Sequence, residues 1–367
     1  MEYDEPLFFR VISYAERADR DVIDMVSGNP DWGAPPAIGQ GLQEYAELGG
    51  SDFQYPPAAG LPELRQAIAE DRGVDPDQVI VTNGAGEANY LGMARALDRG
   101  SGSEVVLTDP VYPYYPGKTS MLGGEQVFVE TESDGSLDPD AVREAAGPDT
   151  ACIVVNTPNN PTGAVYPAET MQKLVNIAEA HDALLVSDEV YDRFDHSGAF
   201  ASALSVESQH RIVTGSFSKT FAITGFRVGY AIAPSEHVEA LRTRHMLTNV
   251  TGSRPAQYAV LRAMEETPAE YYRQNRRLVR DRIETFTGAL EEIGAPYTEP
   301  DGAFYVMARI PGLDGTLENA FHLIDDAGVA GMPGESFGTA RAGWFRFALV
   351  TPRVEEAADR LRAFVEG

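Results

Sequence analysis

The chain has 367 residues, a length that favours two unequal domains over a single one. Hydrophobic residues make up 43% of it and aromatic residues 9%, which is typical of a globular protein and excludes a disordered chain. Acidic residues outnumber basic ones by 56 to 29, and the resulting net charge of −27 excludes a surface that attracts nucleic acid or anionic lipid.

Arginine supplies almost all of the positive charge. Only Lys118, Lys173 and Lys219 are lysines, so 26 of the 29 basic residues are arginine. The acidity alone is consistent with simple solubility, but together with the depletion of lysine it favours adaptation to high salt. At about 1 M salt the Debye length falls to about 3 Å, and repulsion between surface carboxylates then costs little.

Cysteine content and hydropathy restrict where the protein works. Cys152 is the single cysteine, so no disulfide or zinc-cysteine cluster can form within one chain, and its apolar neighbours predict a buried side chain. The N-terminal sequence lacks the basic and apolar regions of a signal peptide. No uncharged apolar run reaches membrane-spanning length. The sequence therefore predicts a cytoplasmic protein with neither a membrane nor a nucleic acid as partner.

Seven strand-like segments lie in the first two thirds of the chain. Most are continuous apolar runs, which suits strands that are covered on both faces. They occupy residues 78–82, 104–109, 125–130, 151–156, 183–188, 211–216 and 229–234. Helical patterns separate several of them, for example at residues 167–181. This alternation predicts an α/β domain whose sheet is mostly parallel, doubly wound and covered by helices.

After about residue 240 the pattern changes to that of a smaller α+β domain. A long amphipathic helix is predicted at residues 271–294, and its buried stripe is predicted to be Leu278, Ile283, Phe286, Leu290 and Ile293. Shorter strand-like and helical segments follow to the end of the chain. We predict an N-terminal segment (1–35) that packs with the small domain, a large domain (36–260) that binds the ligand, and a small C-terminal domain (261–367).

Ligands of open α/β sheets bind beyond the carboxyl ends of the strands, so the segments that follow the strands supply the candidate site residues. A Gly-rich turn, NGAGEAN (83–89), opens a helix whose free backbone N–H groups suit a phosphate. A dinucleotide-binding motif is an alternative, although Asn89 stands where its third glycine belongs, and a plain tight turn is equally compatible. The TPNNPTG turn (157–163) is either purely structural or presents Asn160 to a ligand oxygen.

Two further strand ends carry charged candidates. Asp188 ends a predicted strand and, if buried, needs a partner such as a charged ring nitrogen. Lys219 follows the next strand within SFSKTFAITGFRVGY (216–230), in a chain that otherwise avoids lysine. Arginine does not deprotonate, so a lysine kept at this position indicates chemistry that needs a neutral amine, such as imine formation. Arg227 offers a fork that grips a phosphate at two points.

Three motifs in a fixed order carry a resemblance to a known family. NTPNNPTG (156–163), DEVYD (188–192) and SFSKTFAITGFRVGY (216–230) together resemble the class I/II aminotransferases, fold-type I pyridoxal-phosphate enzymes of the aspartate aminotransferase superfamily. The resemblance extends from SGNPDW (27–32) to WFRFALV (344–350). It implies pyridoxal 5'-phosphate as cofactor, amino transfer between an L-amino acid and a 2-oxo acid, and a homodimer with shared active sites.

The resemblance also implies a role for each matching residue around the cofactor. Lys219 would hold the cofactor as a Schiff base and would then act as the base that moves the substrate proton. Asp188 would pair with the pyridine nitrogen and keep it protonated. Tyr191 and Asn160 would hydrogen-bond the 3-oxygen of the ring, and Tyr112 would stack on the ring. The phosphate ligands would be Ala85, Gly86, Ser216, Ser218 and Arg227, with Tyr55 reaching over from the neighbouring subunit.

On the substrate side, Arg346 matches the family's arginine for the α-carboxylate, which it would grip with both arms of its fork. Gly28 and Asn160 would line the same pocket. Gly86 stands where several aspartate-using members carry a lysine, so no preference for aspartate is predicted. Arg254 either contacts a distal anionic group of the substrate or forms a structural ion pair.

Other functions stay open at this point. A pyridoxal-phosphate-dependent decarboxylase or β-lyase uses the same framework, because the bond that stands perpendicular to the ring is the one that breaks. A non-catalytic binding protein is disfavoured by the full set of catalytic residues. A dinucleotide-dependent oxidoreductase rests only on the incomplete glycine motif. No metal site is predicted.

Overall fold

The computed structural model describes residues 6–367 and arranges them in thirteen α-helices and three sheets. Its strands are β1 (Ile23–Asp24), β2 (Val79–Thr82), β3 (Glu104–Asp109), β4 (Glu125–Glu130), β5 (Thr150–Asn156), β6 (Leu184–Asp188), β7 (Arg211–Ser216), β8 (Gly229–Ile232), β9 (Tyr305–Ala308), β10 (Val329–Ala330), β11 (Met332–Pro333) and β12 (Phe345–Ala348). Its α-helices are α1 (Leu7–Ala15), α2 (Pro36–Glu47), α3 (Pro62–Arg72), α4 (Ala85–Asp98), α5 (Tyr114–Met121), α6 (Pro139–Ala145), α7 (Ala168–Ala180), α8 (Phe217–Thr220), α9 (Ser235–Asn249), α10 (Arg254–Glu266), α11 (Ala269–Glu292), α12 (Leu317–Ala327) and α13 (Val354–Glu366). Within the described part of the chain, no helix is both long and apolar enough to cross a membrane.

The seven predicted strands form one sheet in the order β2-β8-β7-β6-β5-β3-β4. Strands β3 to β7 pair in parallel, whereas β8 is antiparallel to both of its neighbours, β2 and β7. The prediction of a mostly parallel α/β sheet is confirmed, but the reversal at β8 was not predicted. It follows from the short connection at residues 217–228, which holds the one-turn helix α8 and the 3-10 helix Thr224–Phe226 but no crossover helix.

Both faces of this sheet are covered, as the continuous apolar strands predict. Every residue of β2, β5, β6 and β8 is buried. Helices α3, α7 and α10 pack on one face, and α4, α5 and α9 pack on the other. Cys152 lies within the second of these cores, where burial raises the pKa of its thiol, so it is the core side chain that the sequence predicts.

A separate core surrounds the three-stranded antiparallel sheet β11-β12-β9. Helices α11, α12 and α13 contribute to it, and so does the N-terminal segment through Val11, Ile23 and Met25. Strand β1 pairs in parallel with β10, with Ile23 opposite Val329. Residues 1–5 of the predicted N-terminal segment lie outside the described residues, and the domain boundaries at residues 35 and 260 stay a prediction.

The predicted stripe of α11 was wrong at one position. Leu278 is 36% exposed, whereas its neighbour Val279 is fully buried. Val279 lies four residues before Ile283 and seven before Phe286, so it shares their face of a helix with 3.6 residues per turn, and Leu278 is turned away by about 100°. Ile283, Phe286 and Leu290 are buried as predicted, and Ile293 is half-buried at the end of the helix.

Candidate active site

A cavity of about 450 Å³ lies at the carboxyl ends of the parallel strands, where the sheet meets the small core. Strands β5, β6 and β7 all end at its wall, and residues of the N-terminal segment also line it. Of the thirteen residues predicted for the site, twelve line this cavity: Gly28, Ala85, Gly86, Tyr112, Asn160, Asp188, Tyr191, Ser216, Ser218, Lys219, Arg227 and Arg346.

One end of the cavity is an anion-binding cradle at the start of α4. The N–H groups in the first turn of a helix have no intrahelical acceptor, and those of Ala85 and Gly86 lie in that turn. Gly84 precedes them with φ of +79°, and a Cβ atom there would lie 2.4 Å from the Arg227 guanidinium. Arg227 is held beside this turn by hydrogen bonds to the carbonyls of Thr224 (2.9 Å) and Asn83 (3.2 Å). Amides and a guanidinium converging in this way suit a phosphate group.

Lys219 lies on α8, directly after β7, and its side chain is buried in the cavity. The Lys219 Nζ donates a hydrogen bond to the carbonyl oxygen of Gly28 at 2.7 Å. Burial, together with the nearby positive charges of Arg346 and Arg227, lowers the pKa of this amine to about 8. A much larger fraction of this amine than of an ordinary lysine is therefore neutral near pH 7, and the neutral form is the one that nucleophilic and base chemistry requires.

The three lysines allow a direct test of this environment in the cofactor-free protein. Competitive acylation over a range of pH, read for each lysine by mass spectrometry, is expected to give a midpoint near pH 8 for Lys219. Lys173 is exposed, and its hydrogen bond to Glu169 raises its pKa above the ordinary lysine value, so its midpoint should be higher by more than two pH units. Coincident midpoints for Lys219 and Lys173 would contradict the environment described.

Asp188 lies at the end of β6 and is held from three sides. Its carboxylate accepts hydrogen bonds from Asn89 Nδ2 (2.6 Å), the Tyr115 hydroxyl (2.7 Å) and the Val190 N–H (3.2 Å). Asn89 is itself oriented by a hydrogen bond from the Thr214 hydroxyl at 2.6 Å. Burial raises the pKa of Asp188, and the Tyr115 and Asn89 hydrogen bonds oppose this rise. A cationic group beside the carboxylate would complete its stabilisation as an ion.

Arg346 is a buried cation that also lines the cavity, with 5% of its surface exposed. Its Nη1 donates to Asn160 Oδ1 at 3.2 Å and its Nη2 donates to the Val26 carbonyl. Aromatic rings cover it, with the Tyr305 centroid 4.6 Å and the Phe337 centroid 5.3 Å from Cζ. The Nε–H is buried without a hydrogen-bond partner among the described residues. A buried guanidinium with a free N–H is suited to an anionic ligand.

Tyr191, Tyr112 and Gly28 complete the predicted set. The Tyr191 hydroxyl lies 3.0 Å from the Tyr305 hydroxyl, and the Tyr112 ring packs edge-to-face on Tyr115 with centroids 5.5 Å apart. A Cβ at Gly28 would come within 2.2 Å of the Tyr305 hydroxyl. The glycine is thus required by a tyrosine that the sequence analysis did not assign to the site.

Two predicted residues lie elsewhere. Tyr55 is 79% exposed and does not line the cavity of its own chain. Arg254 forms an ion pair with Asp52 at 3.2 Å and donates to the Ser51 and Gln54 carbonyls. Of the two predictions for Arg254, the structural ion pair is the one present in this chain.

Among the other residues that line the cavity, four with polar side chains that bear on its chemistry were not predicted, namely Asn89, Tyr115, Lys118 and Tyr305. Asn89 was considered only as a failed glycine position, although a polar residue on the buried face of a predicted helix is itself a signal. Tyr115 and Lys118 lie on α5, whose irregular sequence gives no clear apolar period. Tyr305 stands in a short strand of the small core, and its place in the site depends on its contacts with Tyr191 and Arg346.

Together these groups fit one cofactor. An amine, a buried carboxylate, an aromatic ring and a phosphate cradle surround one cavity, as the aldehyde, ring nitrogen, ring face and phosphate of pyridoxal phosphate require. A guanidinium remains for a substrate carboxylate. The fold and the site define a fold-type I pyridoxal-phosphate enzyme.

Comparisons with known proteins agree with this class. The model of the family "Aminotransferase class I and II" matches residues 20–361. An aspartate/prephenate aminotransferase of Thermus thermophilus is 34% identical over 90% of this chain and 87% of its own length, and an aspartate aminotransferase of Thermotoga maritima is 32% identical over 94% and 92%. The structure of the Thermus thermophilus aspartate aminotransferase with maleate superimposes with a TM-score of 0.90 at 32% identity, covering 98% of this chain and 97% of that one. The chain belongs to the class I and II aminotransferase family, and it is an aminotransferase that uses pyridoxal phosphate.

Proposed function

We propose that this enzyme moves the amino group of an L-amino acid to a 2-oxo acid, with Lys219 as its catalytic lysine and Arg346 as the site of the substrate α-carboxylate. The observation that carries the proposal is the buried Arg346 guanidinium, whose Nε–H has no partner among the described residues and which lines the same cavity as the Lys219 amine. Amino acids and 2-oxo acids share the carboxylate that such a guanidinium binds.

The proposed roles follow from what each side chain contacts. Bound pyridoxal phosphate supplies an electron-withdrawing ring that stabilises negative charge at the substrate α-carbon. Asp188, fixed by Asn89 and Tyr115, keeps a proton on the ring nitrogen. Lys219, with its lowered pKa, removes the proton from the α-carbon. Tyr191 and Asn160 are proposed to hydrogen-bond the ring 3-oxygen.

The remaining assignments are the residues that hold the phosphate and those that exclude water from the cavity. The cradle residues Ala85, Gly86, Ser216, Ser218 and Arg227 are proposed to hold the phosphate. The N-terminal residues Leu7 and Phe8 line the cavity and exclude water from it once substrate is bound.

The test is a panel of acidic, aromatic and aliphatic amino donors with 2-oxoglutarate, carried out with the loaded enzyme in high salt. Amino transfer that depends on the 2-oxo acid is expected, and borohydride treatment should attach the cofactor to Lys219, as read by peptide mass spectrometry. Release of carbon dioxide or ammonia in place of amino transfer would favour the decarboxylase or β-lyase alternative. A label at a position other than 219 would overturn the assignment of the lysine.

We also propose that two copies form a homodimer in which Tyr55 reaches the phosphate site of the partner. The support is a set of exposed apolar side chains, called here the exposed patch: Phe53 and Tyr55 on one segment and Leu247 and Val250 on another, of which Tyr55 and Leu247 are each 79% exposed. The two segments are linked just beyond these residues, because the Thr251 hydroxyl donates to the Pro57 carbonyl and Arg254 donates to the Ser51 and Gln54 carbonyls. Soluble monomers rarely leave such a patch uncovered.

Leu247→Asp is expected to convert the dimer to a monomer and to lower activity, because a carboxylate cannot be buried unpaired in an apolar interface. Light scattering after gel filtration measures the mass. Phe128→Asp is the matched control, since Phe128 is 45% exposed on β4, at the opposite edge of the sheet from β2. Equal masses for the wild type and Leu247→Asp would contradict the proposed interface.

The acidic surface is proposed to reflect adaptation to salt. The net charge of −27 is spread over exposed carboxylates, such as Asp77 and Glu169 with side chains 95% and 80% exposed. The ion pairs that these two carboxylates form, with Arg65 and Lys173, contribute little stability because they are exposed to solvent. Raising KCl from about 0.1 M to about 2 M screens the remaining repulsion and is expected to raise Tm. The same series with sucrose, an uncharged solute, is the control. A Tm that falls with KCl would contradict salt adaptation.

A further inference from the structure

Asp109 is a buried carboxylate at the end of β3 that has no part in the site assigned above. It is 6% exposed, and its Oδ2 accepts three hydrogen bonds from one segment of the small core. The donors are the Thr339 N–H (3.0 Å), the Thr339 hydroxyl (2.9 Å) and the Ala340 N–H (3.2 Å). A single carboxylate oxygen thus ties residues from the two sheets together.

The segment it holds, residues 337–341, is the central part of the connection between β11 and β12, and is called here the 337–341 loop. The Val111 N–H donates to the Phe337 carbonyl at 2.7 Å, and Arg341 Nη2 donates to the Glu132 carbonyl at 2.7 Å. Gly338 has φ of +122°, and a Cβ there would lie 2.2 Å from Asp109 Oδ1. The loop therefore packs against the end of the large sheet, although the strands on both sides of it belong to the small sheet.

Phe337, the first residue of this loop, packs against the buried Arg346 side chain. Phe337 is 1% exposed and lines the cavity, and its ring centroid lies 5.3 Å from Arg346 Cζ. Arg346 itself stands on β12 opposite Met332 of β11, so the loop closes the hairpin that carries the guanidinium. A shift of the loop would move one of the two aromatic walls that fix the direction of the guanidinium.

We propose that Asp109 is a positioning residue for substrate carboxylate binding, because its carboxylate fixes the 337–341 loop and so holds Phe337 against the Arg346 guanidinium. The inference rests on the proposed role of Arg346. Asp109 acts on the residue that binds the carboxylate and not on the Lys219 amine. Its loss should therefore weaken substrate binding while the chemical step of bound substrate continues, which is a rise in KM at nearly constant kcat.

The first test compares Asp109→Ala, Asp109→Asn and Thr339→Val in the loaded enzyme. Asp109→Ala is expected to raise KM for the preferred amino donor by about 10-fold or more, with kcat within about threefold of the wild type. Asp109→Asn keeps one oxygen that accepts the loop N–H groups, so its KM should lie between those of the wild type and Asp109→Ala. Thr339→Val removes only the hydroxyl donor and should give a smaller rise, which keeps the test available if the alanine variant folds poorly.

Asp138→Ala is the matched control, since Asp138 also accepts a backbone N–H, that of Asp140 at 2.9 Å, but lies exposed at the start of α6. It should leave KM unchanged. A fall in kcat equal to the rise in KM for Asp109→Ala, or no rise in KM for either Asp109→Ala or Thr339→Val, would overturn the proposal.

The second test separates positioning from general stability. Phe337→Leu and Asp109→Ala are combined in a double-mutant cycle on KM. If Asp109 acts through Phe337, the double variant should be little worse than Phe337→Leu alone, and additive effects would overturn the proposed route. Arg346→Lys is measured alongside. A raised KM for Arg346→Lys with unchanged KM for Asp109→Ala defeats this inference only, whereas unchanged KM for Arg346→Lys defeats the proposed function itself.

Discussion

Replacing Lys219 by alanine is expected to lower kcat by about 10³-fold or more, since the variant loses both roles proposed for this amine, holding the cofactor and removing the α-proton. General acid–base catalysis by one positioned side chain contributes about 10² to 10⁴-fold. The rate of the half-reaction between the loaded enzyme and an amino acid measures this loss directly. Substrate affinity should change little, because the proposed site of the α-carboxylate is Arg346, a different residue of the same cavity.

Two variants separate the chemistry of Lys219 from its charge. Lys219→Arg keeps a positive charge at the position but offers no neutral amine, and it should be as inactive as the alanine variant. Lys118→Met removes the second lysine of the cavity, whose pKa is also lowered by burial to about 8, and should retain most of the activity. Similar losses in Lys118→Met and Lys219→Ala, or a half-reaction that proceeds in Lys219→Ala at the wild-type rate, would refute the assignment.

Much of the fold could be predicted because its elements are encoded locally. Continuous apolar runs gave the seven strands to within two residues, and burial of complete strands such as β5 is the physical cause of those runs. The reversal of β8 was missed because strand direction depends on how the connection at residues 217–228 folds. The register of α11 was missed by one residue at Leu278, since two adjacent apolar residues leave the phase of a helix undetermined.

The site was predictable where family motifs mark it and not where contacts depend on tertiary packing. Motifs placed Lys219, Asp188 and Arg227, and the structure brings all three to one cavity. Asn89 and Tyr115 were not predicted, because their importance lies in hydrogen bonds to Asp188 from helices 99 and 73 residues away in the sequence. The role of such residues becomes visible only when the chain is folded.

The structure of one chain does not include contacts that depend on a second copy. Tyr55 was predicted at the phosphate but is exposed outside its own cavity, as expected of a residue that acts on a neighbouring copy. The proposed dimer accounts for the exposed patch around it. A site shared between subunits is thus coupled to association, so dilution below the dimer dissociation constant should lower activity.

Replacing Arg346 by lysine is expected to reduce kcat/KM for amino acids by about 10² to 10³-fold. Lysine keeps the charge, but it lacks the planar fork that donates to Asn160 Oδ1 and the Val26 carbonyl while leaving Nε–H free for a carboxylate. Removing one partner of a buried, hydrogen-bonded charge pair costs about 2–5 kcal/mol, and a loss of 10² to 10³-fold, about 2.7–4.1 kcal/mol, lies within that range. The loss should fall mainly on KM, because in the proposed role the guanidinium binds the substrate carboxylate in the ground state as well as in the transition state.

A substrate without an α-carboxylate tests whether the effect of Arg346→Lys arises from carboxylate binding. A primary amine that lacks the α-carboxylate makes no contact with the Arg346 guanidinium, so its slow reaction with the loaded enzyme should be the same in Arg346→Lys and in the wild type. Arg309→Leu is the matched control, because Arg309 follows β9 on the exposed surface and should leave both substrates unaffected. If Arg346→Lys slowed the amine as much as the amino acid, the guanidinium would be supporting the cavity as a whole and the α-carboxylate would have to bind elsewhere.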